Sequence, residues 1–315
     1  MTDPKRTGEE MNEIPEWLDK KRFADQQYLA DPKIVKSEGE DVLLSDVAFN
    51  RHEYNDGSHV SPYDNNTVLV GTEGLRVKLV QGIDRVQFQE TLSRATKATT
   101  GIAVDSPPDE RDWEDMMRGG LQSALETQTV VFEVTGASRA LTHQLVRSRK
   151  AGFHQQSQRA TYYGDAPEVR MPQSVYENAE AREAWLRARY HSLKAYTVAC
   201  EEGISYQDAR YILPESVTNY ILCEYPLREF INVYAYRACS MFLWEMVTVM
   251  RRMKDALVEQ SPWLEPYIKI SCEKNQKCSF AGWEEVEGQC DLPWAREDNR
   301  TFIASPHLRI GRGKK

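Results

Sequence analysis

The sequence predicts a fold that combines β-strands and α-helices, and segments of both kinds support this prediction. Apolar and polar residues alternate in LRVKLVQG, which indicates a strand, and TVVFEV is predicted to be a buried strand. Apolar residues at helical spacing predict helices in IDRVQFQETLSRA and ENAEAREAWLRARYHSLKAYTVACEE. With TNYILCEY as a further strand, predicted strands and helices follow one another along the chain.

Composition restricts the class of protein. A chain of 315 residues, 41% of them hydrophobic, can bury one large core or two small ones. The formal net charge of −8 argues against general binding to nucleic acid or to an anionic membrane, because both require a basic surface. No apolar run has the length of a membrane span, and MTDPKRTGEEMNEIPEW has no apolar signal core. We expect a cytoplasmic protein with reduced cysteines.

The first 74 residues are predicted to be an N-terminal extension. The segments KSEGED and NDGSHVSPYDNN are rich in turn-forming residues and divide this region into short pieces. The apolar pieces VLLSDVAF and NTVLV are candidates for strands at the edge of the main domain, or for an arm around a neighbouring subunit. No residue pattern in this region indicates chemistry.

Convergent polar groups are concentrated in residues 138–165. Ser138 is a good helix cap, and SRALTHQLVR is predicted to be a helix whose last turn carries three cations, Arg147, Arg149 and Lys150. A solvated helix end would account for two arginines alone. The following HQQSQR is too rich in amides for the core, and alternate side chains of an extended segment point the same way. Ser157 and Arg159 are therefore expected to converge on one anion, in a phosphate and cofactor site.

The spacing of these residues resembles a known signature. Arg147-Ser148-Arg149, seven residues, Ser157 and then Arg159 is similar to the pattern of the flavin-dependent thymidylate synthases. That pattern is Arg-His-Arg, seven residues and Ser, usually with a further Arg two positions on. Ser148 stands where the family has histidine.

Other segments resemble the same family at consistent spacing. Arg237 precedes Trp244-Glu245 by seven residues, as an arginine precedes a Trp-Glu pair in the family. Arg210 lies just before a Leu-Pro, and Gly136 matches the strand-to-helix turn ahead of the signature. The agreement of several separate segments strengthens the resemblance.

The resemblance covers about residues 75–278 and implies a fold and an activity. The implied fold is α/β (α+β), with a mixed central sheet flanked by helices, in a homotetramer whose active sites draw residues from several subunits. The catalytic domain would span residues 75–270, followed by a tail at 271–315. The implied reaction converts dUMP to dTMP at C5, without a cysteine nucleophile. Methylenetetrahydrofolate would supply the carbon, and FAD reduced by NADPH the hydride.

The resemblance also assigns roles to residues. Arg237 is expected to be catalytic, because a guanidinium held against the uracil carbonyls stabilises the negative charge that develops on the ring. The residues expected to bind the nucleotide are Gln144, Arg147, Gln155, Gln156, Ser157, Gln158, Arg159, Arg210 and Arg237. Those expected to bind flavin or folate are Thr96, Thr127, Arg147, Ser148, Arg149, Gln155, Arg228 and Asn232.

Three residues on the flavin side depart from the family pattern. Thr127 and Ser148 stand where the family has histidines, and Pro226 replaces an asparagine. A threonine or serine can donate a hydrogen bond to flavin but cannot become cationic. The tail cysteines, Cys272, Cys278 and Cys290, are irregularly spaced and have no histidine close by, so no metal site is expected.

The last predicted helix, Leu227 to about Glu259, contains Arg237 and Glu245 among many apolar residues. Because an unpaired buried charge is costly, Arg237 must reach solvent, pair with Glu245 or meet an anionic ligand. The sequence leaves the ion pair and the ligand contact open, and the resemblance favours the ligand. Two other functions also stay open: methylation of UMP, or of both nucleotides, in a nucleoside pathway, and nucleotide binding without catalysis.

Overall fold

The computed structural model describes residues 58–60 and 67–280, with gaps at 102, 104, 106, 108–113, 115, 119–121, 164–166 and 279. The strands are β1 Ser58–Val60, β2 Thr67–Val70, β3 Arg76–Gln81, β4 Thr129–Ser138, β5 Gly152–Gln155, β6 Val169–Met171 and β7 Thr218–Pro226. The helices are α1 Arg85–Thr100, α2 Arg139–Leu145, α3 Gln173–Glu177, α4 Ala179–Glu201, α5 Tyr206–Ala209, α6 Leu227–Arg237, α7 Trp244–Gln260 and α8 Ser271–Asn275. Short 3-10 helices are Ser123–Thr127, Arg210–Ile212 and Pro262–Tyr267.

A four-stranded sheet with the order β3-β4-β7-β5 forms the centre of the described fold. Alternate residues of β4, Val130, Phe132 and Val134, are fully buried against the helices, as the period of a half-buried strand requires. The expected α/β class is confirmed, but this sheet is antiparallel and not mixed. The chain enters a strand at the same edge of the sheet at which it left the strand's partner, so paired strands run in opposite directions. For example, β4 ends at Ser138, opposite the start of β7 at Thr218.

A small second sheet with the order β1-β2-β6 lies beside the first. Here β2 pairs with β1 in antiparallel and with β6 in parallel orientation. The strand predicted in NTVLV is therefore confirmed, although it belongs to this small sheet, whereas VLLSDVAF lies outside the described residues. Val68, Val169 and Met171 form a separate core with Leu186 and Leu193 of α4.

A buried ion pair joins the two sheets to α7. The guanidinium of Arg170, on β6, lies 3.3 Å from the carboxylate of Glu245 and donates to the carbonyl of Gly136 on β4. The same carboxylate accepts from the backbone N–H of Ser138 at 2.7 Å and from its hydroxyl. Gly136 has φ +71°, and a Cβ built there would lie 2.4 Å from the carbonyl oxygen of Gly74. Only glycine fits this crossing without strain.

Local periodicity predicted two of the three longest helices correctly. The predictions in IDRVQFQETLSRA and in the Ala-rich segment are confirmed by α1 and α4. The single helix predicted from Leu227 to about Glu259 is wrong, because α6 ends at Arg237 and α7 begins at Trp244. Between them, Phe242 N–H donates to the carbonyl of Cys239, a turn bond that replaces the helical ladder. No described helix is long and apolar enough to cross a membrane.

The division into extension, catalytic domain and tail stays a prediction. Residues 281–315 and most of the first 66 are outside the described part of the chain, and so is Cys290. Among the described residues, no cluster of three histidine, cysteine or acidic side chains could hold a metal ion.

Candidate functional site

The helix that opens the signature is held at its first turn by neighbouring elements. The Ser138 hydroxyl accepts from Leu141 N–H at 3.0 Å, which confirms the predicted cap. The N–H groups of Arg139 and Ala140 donate to the carbonyls of Val217 and Glu215. These bonds place the start of α2 beside the segment that leads into β7.

The cations that follow α2 lie beyond its end. The helix stops at Leu145, so the prediction that Arg147, Arg149 and Lys150 occupy its last turn is wrong. Tighter turn bonds replace the helical ladder, since Arg147 N–H donates to Gln144 at 3.3 Å. The three cationic side chains are exposed.

The segment HQQSQR divides into a strand and a turn. The Gln155 amide donates to Thr142 at 2.6 Å and to Asn219 at 2.8 Å, so this predicted ligand residue ties β5 to α2 and β7. Gln156 is also engaged, because its N–H donates to the Tyr220 carbonyl at 2.9 Å. The chain leaves the strand after Gln155, which places Gln158 in a turn.

The prediction that Ser157 and Arg159 lie in an extended segment is wrong, and their convergence on one anion stays a prediction. The hydroxyl of Ser157 accepts from the N–H groups of Arg159 and Ala160, at 3.1 and 3.2 Å, and so caps its own turn. A short polar side chain offers its backbone this local alternative to a strand. Both Ser157 and Arg159 are exposed, on the turn that carries Gln158.

A cleft of about 340 Å³ brings α2, this turn and the segment after α5 together. Its lining residues are Arg139, His143, Gln158, Arg210, Tyr211, Leu213, Pro214 and Glu215. Gln158 and Arg210 were predicted substrate residues, and the fold places both in one cleft. Arg139 and His143 were missed, although they lie four residues apart in the predicted helix and therefore on one of its faces.

The charged groups of the cleft are positioned by hydrogen bonds. Arg139 donates to the carbonyl of Gln156 at 3.2 Å, and Arg210 to that of Gln207 at 3.1 Å. His143 Nδ1 lies 3.4 Å from the Glu215 carboxylate. Two guanidinium groups that keep further N–H donors suit an anion with several oxygens, such as a phosphate.

A second cluster gathers predicted cofactor residues around Glu126. Its carboxylate lies 2.8 Å from Arg228 and 3.5 Å from Lys150. The hydrogen bond from Arg228 is the main reason that the pKa of Glu126 lies below its ordinary value of 4.5. Thr127, next in the chain, donates to the carbonyl of Ala124 at 2.7 Å. Asn232 is exposed one turn beyond Arg228.

Arg237 lies apart from the cleft lining. The guanidinium carbon is 5.1 Å from the centre of the Phe242 ring, and Glu245 pairs with Arg170. The ion pair between Arg237 and Glu245 that the sequence left open is therefore not formed. Arg237 is half-buried and can still receive a ligand.

The hydroxyl of Tyr225 is buried, and burial raises the pKa of Tyr225 well above its ordinary value. The predicted site residues that do not line the cleft are Thr96, Thr127, Gln144, Arg147, Ser148, Arg149, Gln155, Gln156, Ser157, Arg159, Arg228, Asn232 and Arg237. Thr96 lies half-buried in α1, and Gln144 half-buried in α2.

Comparisons with known proteins indicate the same family as the signature. Two relatives are named flavin-dependent thymidylate synthase. That of Pyrococcus abyssi is 35% identical over 153 residues, 48% of this chain and 62% of the relative. That of Geobacter sulfurreducens is 35% identical over 134 residues, 42% of this chain and 58% of the relative. The chain thus matches less than two thirds of the length of either relative.

The fold also has a counterpart among solved structures. It is similar to the crystal structure of a UMP/dUMP methylase, PolB from Streptomyces cacaoi, bound with 5-Br dUMP, with a TM-score of 0.51 and 18% identity. The similarity covers 60% of this chain and 92% of that chain. The family model described as "Thymidylate synthase complementing protein" matches residues 80–263, more than half of the chain. The chain therefore belongs to this family, that of the flavin-dependent thymidylate synthases, as the signature predicted.

Proposed function

We propose that this protein methylates C5 of a uracil nucleotide and converts dUMP to dTMP. The observation that carries the proposal is the cleft that gathers Arg139, Gln158 and Arg210 from three separate segments. Guanidinium groups bind a phosphate with paired, charge-assisted hydrogen bonds, and an amide can bind a sugar or base oxygen. Methylenetetrahydrofolate would donate the carbon, and NADPH the reducing equivalents.

Arg237 would act on the pyrimidine ring. Its guanidinium, held over Phe242, would donate to the uracil carbonyls and stabilise the negative charge that develops when C5 attacks the carbon donor. No cysteine nucleophile is needed for this activation. Cys223 is in any case poorly suited to that task, because burial raises the pKa of its thiol to about 12 and so disfavours the thiolate.

The residues of the Glu126 cluster fit FAD, which would supply the hydride once reduced. FAD carries a diphosphate, for which the cations would be the exposed Arg147 and Arg149 together with Lys150 and Arg228, which lie beside Glu126. Lys150 and Arg228 would have to exchange the Glu126 carboxylate for the diphosphate. The hydroxyl of Ser148 would add a neutral donor in place of one missing imidazole, whereas the Thr127 hydroxyl already donates to the Ala124 carbonyl and could only accept from the cofactor.

The complete site would be shared between subunits of a homotetramer. Within one chain, Arg237 and the cations of the signature lie outside the lining of the cleft that contains Arg210. A second copy that brings its Arg237 to this cleft would complete the set of groups around the nucleotide. A cytoplasmic location also stays a prediction of the sequence.

Two measurements test the proposed reaction. The purified protein is expected to show flavin absorbance and, with folate and reductant, to release tritium from C5-labelled dUMP. Release from labelled UMP, measured in parallel, would identify a methylase that accepts UMP. Nucleotide binding without flavin or release would mean a non-catalytic binding protein, and an absence of both binding and release would overturn the proposal.

The role of Arg237 has a separate test. Arg237→Ala is expected to abolish turnover while the protein keeps its flavin, because the substitution removes charge stabilisation of the ring. Loss of flavin absorbance would instead place Arg237 on the cofactor side. Arg187→Ala, which removes a half-buried arginine paired with Glu183 on α4, provides the matched control.

A further inference from the structure

Three tyrosine rings connect the two segments that form one wall of the cleft. The Tyr162 ring stacks on that of Tyr206, with centroids 5.4 Å apart and planes at 25°. It also stacks on that of Tyr196, at 6.0 Å and 20°. The N–H of Tyr163 donates to the Tyr196 hydroxyl at 3.2 Å. The chain that follows the Ser157 turn is thereby fixed to α4 and α5.

Each end of this connection lies four positions along the chain from a residue that lines the cleft. Tyr162 follows the turn that carries Gln158, and Tyr206 begins α5, whose C-cap is Arg210. The strand β5 ends before the turn, and α5 is only four residues long. Regular secondary structure therefore fixes neither segment strongly, and contacts between side chains must contribute.

The exposure of the rings distinguishes this contact from the packing of a buried core. Tyr196 is fully buried, whereas Tyr162 is 40% and Tyr206 39% exposed. A pair of tyrosines that served the core alone would be expected to bury both rings as deeply as Tyr196. The stack between Tyr162 and Tyr206 lies instead at the surface, where it joins two short segments at the edge of the cleft.

We infer that Tyr162 is a positioning residue for the nucleotide. Its ring holds the turn of Gln158 at a set distance from Arg210, so that the cleft is formed before the anion binds. The inference rests on the proposed function, because the anion is taken to be the phosphate of a uracil nucleotide. Tyr162 itself need not touch the substrate.

The test compares Tyr162→Ala with Tyr162→Phe. Aromatic pairs contribute enough that loss of both stacks is expected to raise the KM for dUMP about tenfold, while kcat changes less than about twofold. Tyr162→Phe keeps the ring and is expected to have a KM close to the wild-type value. Tyr176→Ala is the matched control, since it removes a tyrosine that contacts Arg182, away from the cleft.

Hydrogen exchange provides a measurement that does not depend on turnover. In Tyr162→Ala, the amides of residues 157–163 and 205–211 are expected to exchange faster together, whereas those of β4 keep the wild-type rate. An unchanged KM and unchanged exchange in Tyr162→Ala would overturn the inference. Failure of the wild-type protein to bind dUMP would overturn the proposed function, and coupled exchange of the two segments would still show their connection.

Discussion

At the scale of single residues, Arg170 and Glu245 place two charges in the interior. Their side chains are 1% and 3% exposed. Burial lowers the pKa of Arg170 and raises that of Glu245, so each ionised group depends on its partner and on the polar groups around it. Glu245 also accepts two hydrogen bonds from Ser138, the cap of α2. The ion pair between Arg170 and Glu245 therefore affects the position of α2.

We expect Glu245→Ala to cost about 3–5 kcal/mol in the free energy of unfolding, because Arg170 then stays buried without a carboxylate. Urea unfolding followed by circular dichroism measures this loss. The double variant Arg170→Met, Glu245→Leu is expected to regain much of it, since apolar groups of similar size need no partner. A double variant less stable than Glu245→Ala would contradict this account.

The exposed carboxylate of Glu126 predicts a stability that depends on pH. Arg228, and then Lys150, keep the pKa of Glu126 below 4.5, so the folded chain binds this proton less tightly than the unfolded chain. The stabilisation is therefore present above about pH 4.5 and is lost as the pH falls through the native pKa. Thermal unfolding of the wild type and Glu126→Gln should differ most above that pH and converge in acid. A difference independent of pH would argue against the ion pairs.

At the scale of elements, the connection between α6 and α7 positions Arg237. Phe242 lies in this connection, with its ring 5.1 Å from the guanidinium carbon. A contact between a cation and an aromatic ring contributes about 0.5–2 kcal/mol. We expect Phe242→Ala to lower kcat between about 2- and 30-fold while flavin stays bound.

The measurement is the rate of tritium release at saturating dUMP. Phe242→Tyr keeps the aromatic face and is the matched control, expected to turn over at a rate close to that of the wild type. Equal rates for Phe242→Ala and the wild type would mean that the ring does not hold Arg237 in its active position.

The sequence predicts elements well where the information is local. β3, α1, β4, α4 and β7 have clear periodicities, and all five were predicted. The break at residues 238–243 contains neither glycine nor proline, so the apolar pattern runs through it without a signal. The turn at Ser157 was also missed, because a serine that caps its own backbone looks like any serine in a polar segment.

At the scale of the whole molecule, the site depends on which segments the fold brings together. The resemblance supplied Arg210 and Gln158, whereas Arg139, His143 and Glu215 emerged only from the cleft. Their roles depend on contacts between segments, such as that of His143 with Glu215, which no local pattern contains. Likewise, the partner of Glu245 is Arg170, in a strand that the sequence did not indicate.

The proposal that the site is shared in a homotetramer makes a prediction for mixed subunits. Arg210→Ala and Arg237→Ala are each expected to be inactive, yet subunits of both kinds in one oligomer should regain activity. Random mixing would leave about a quarter of the sites with both arginines intact, if each site takes them from different chains. Light scattering checks the oligomeric state. Mixed oligomers without activity would place Arg210 and Arg237 of each site in one chain.

The close approach of Gly136 to Gly74 makes residue 136 sensitive to substitution for a reason unrelated to ligand binding. A Cβ at residue 136 would lie only 2.4 Å from the carbonyl oxygen of Gly74, so any side chain would force the two backbone segments apart. The backbone would be displaced as far as Ser138, two residues later, and α2 would tilt. A deep mutational scan would therefore show that no other residue is tolerated at position 136, because the displaced backbone moves α2.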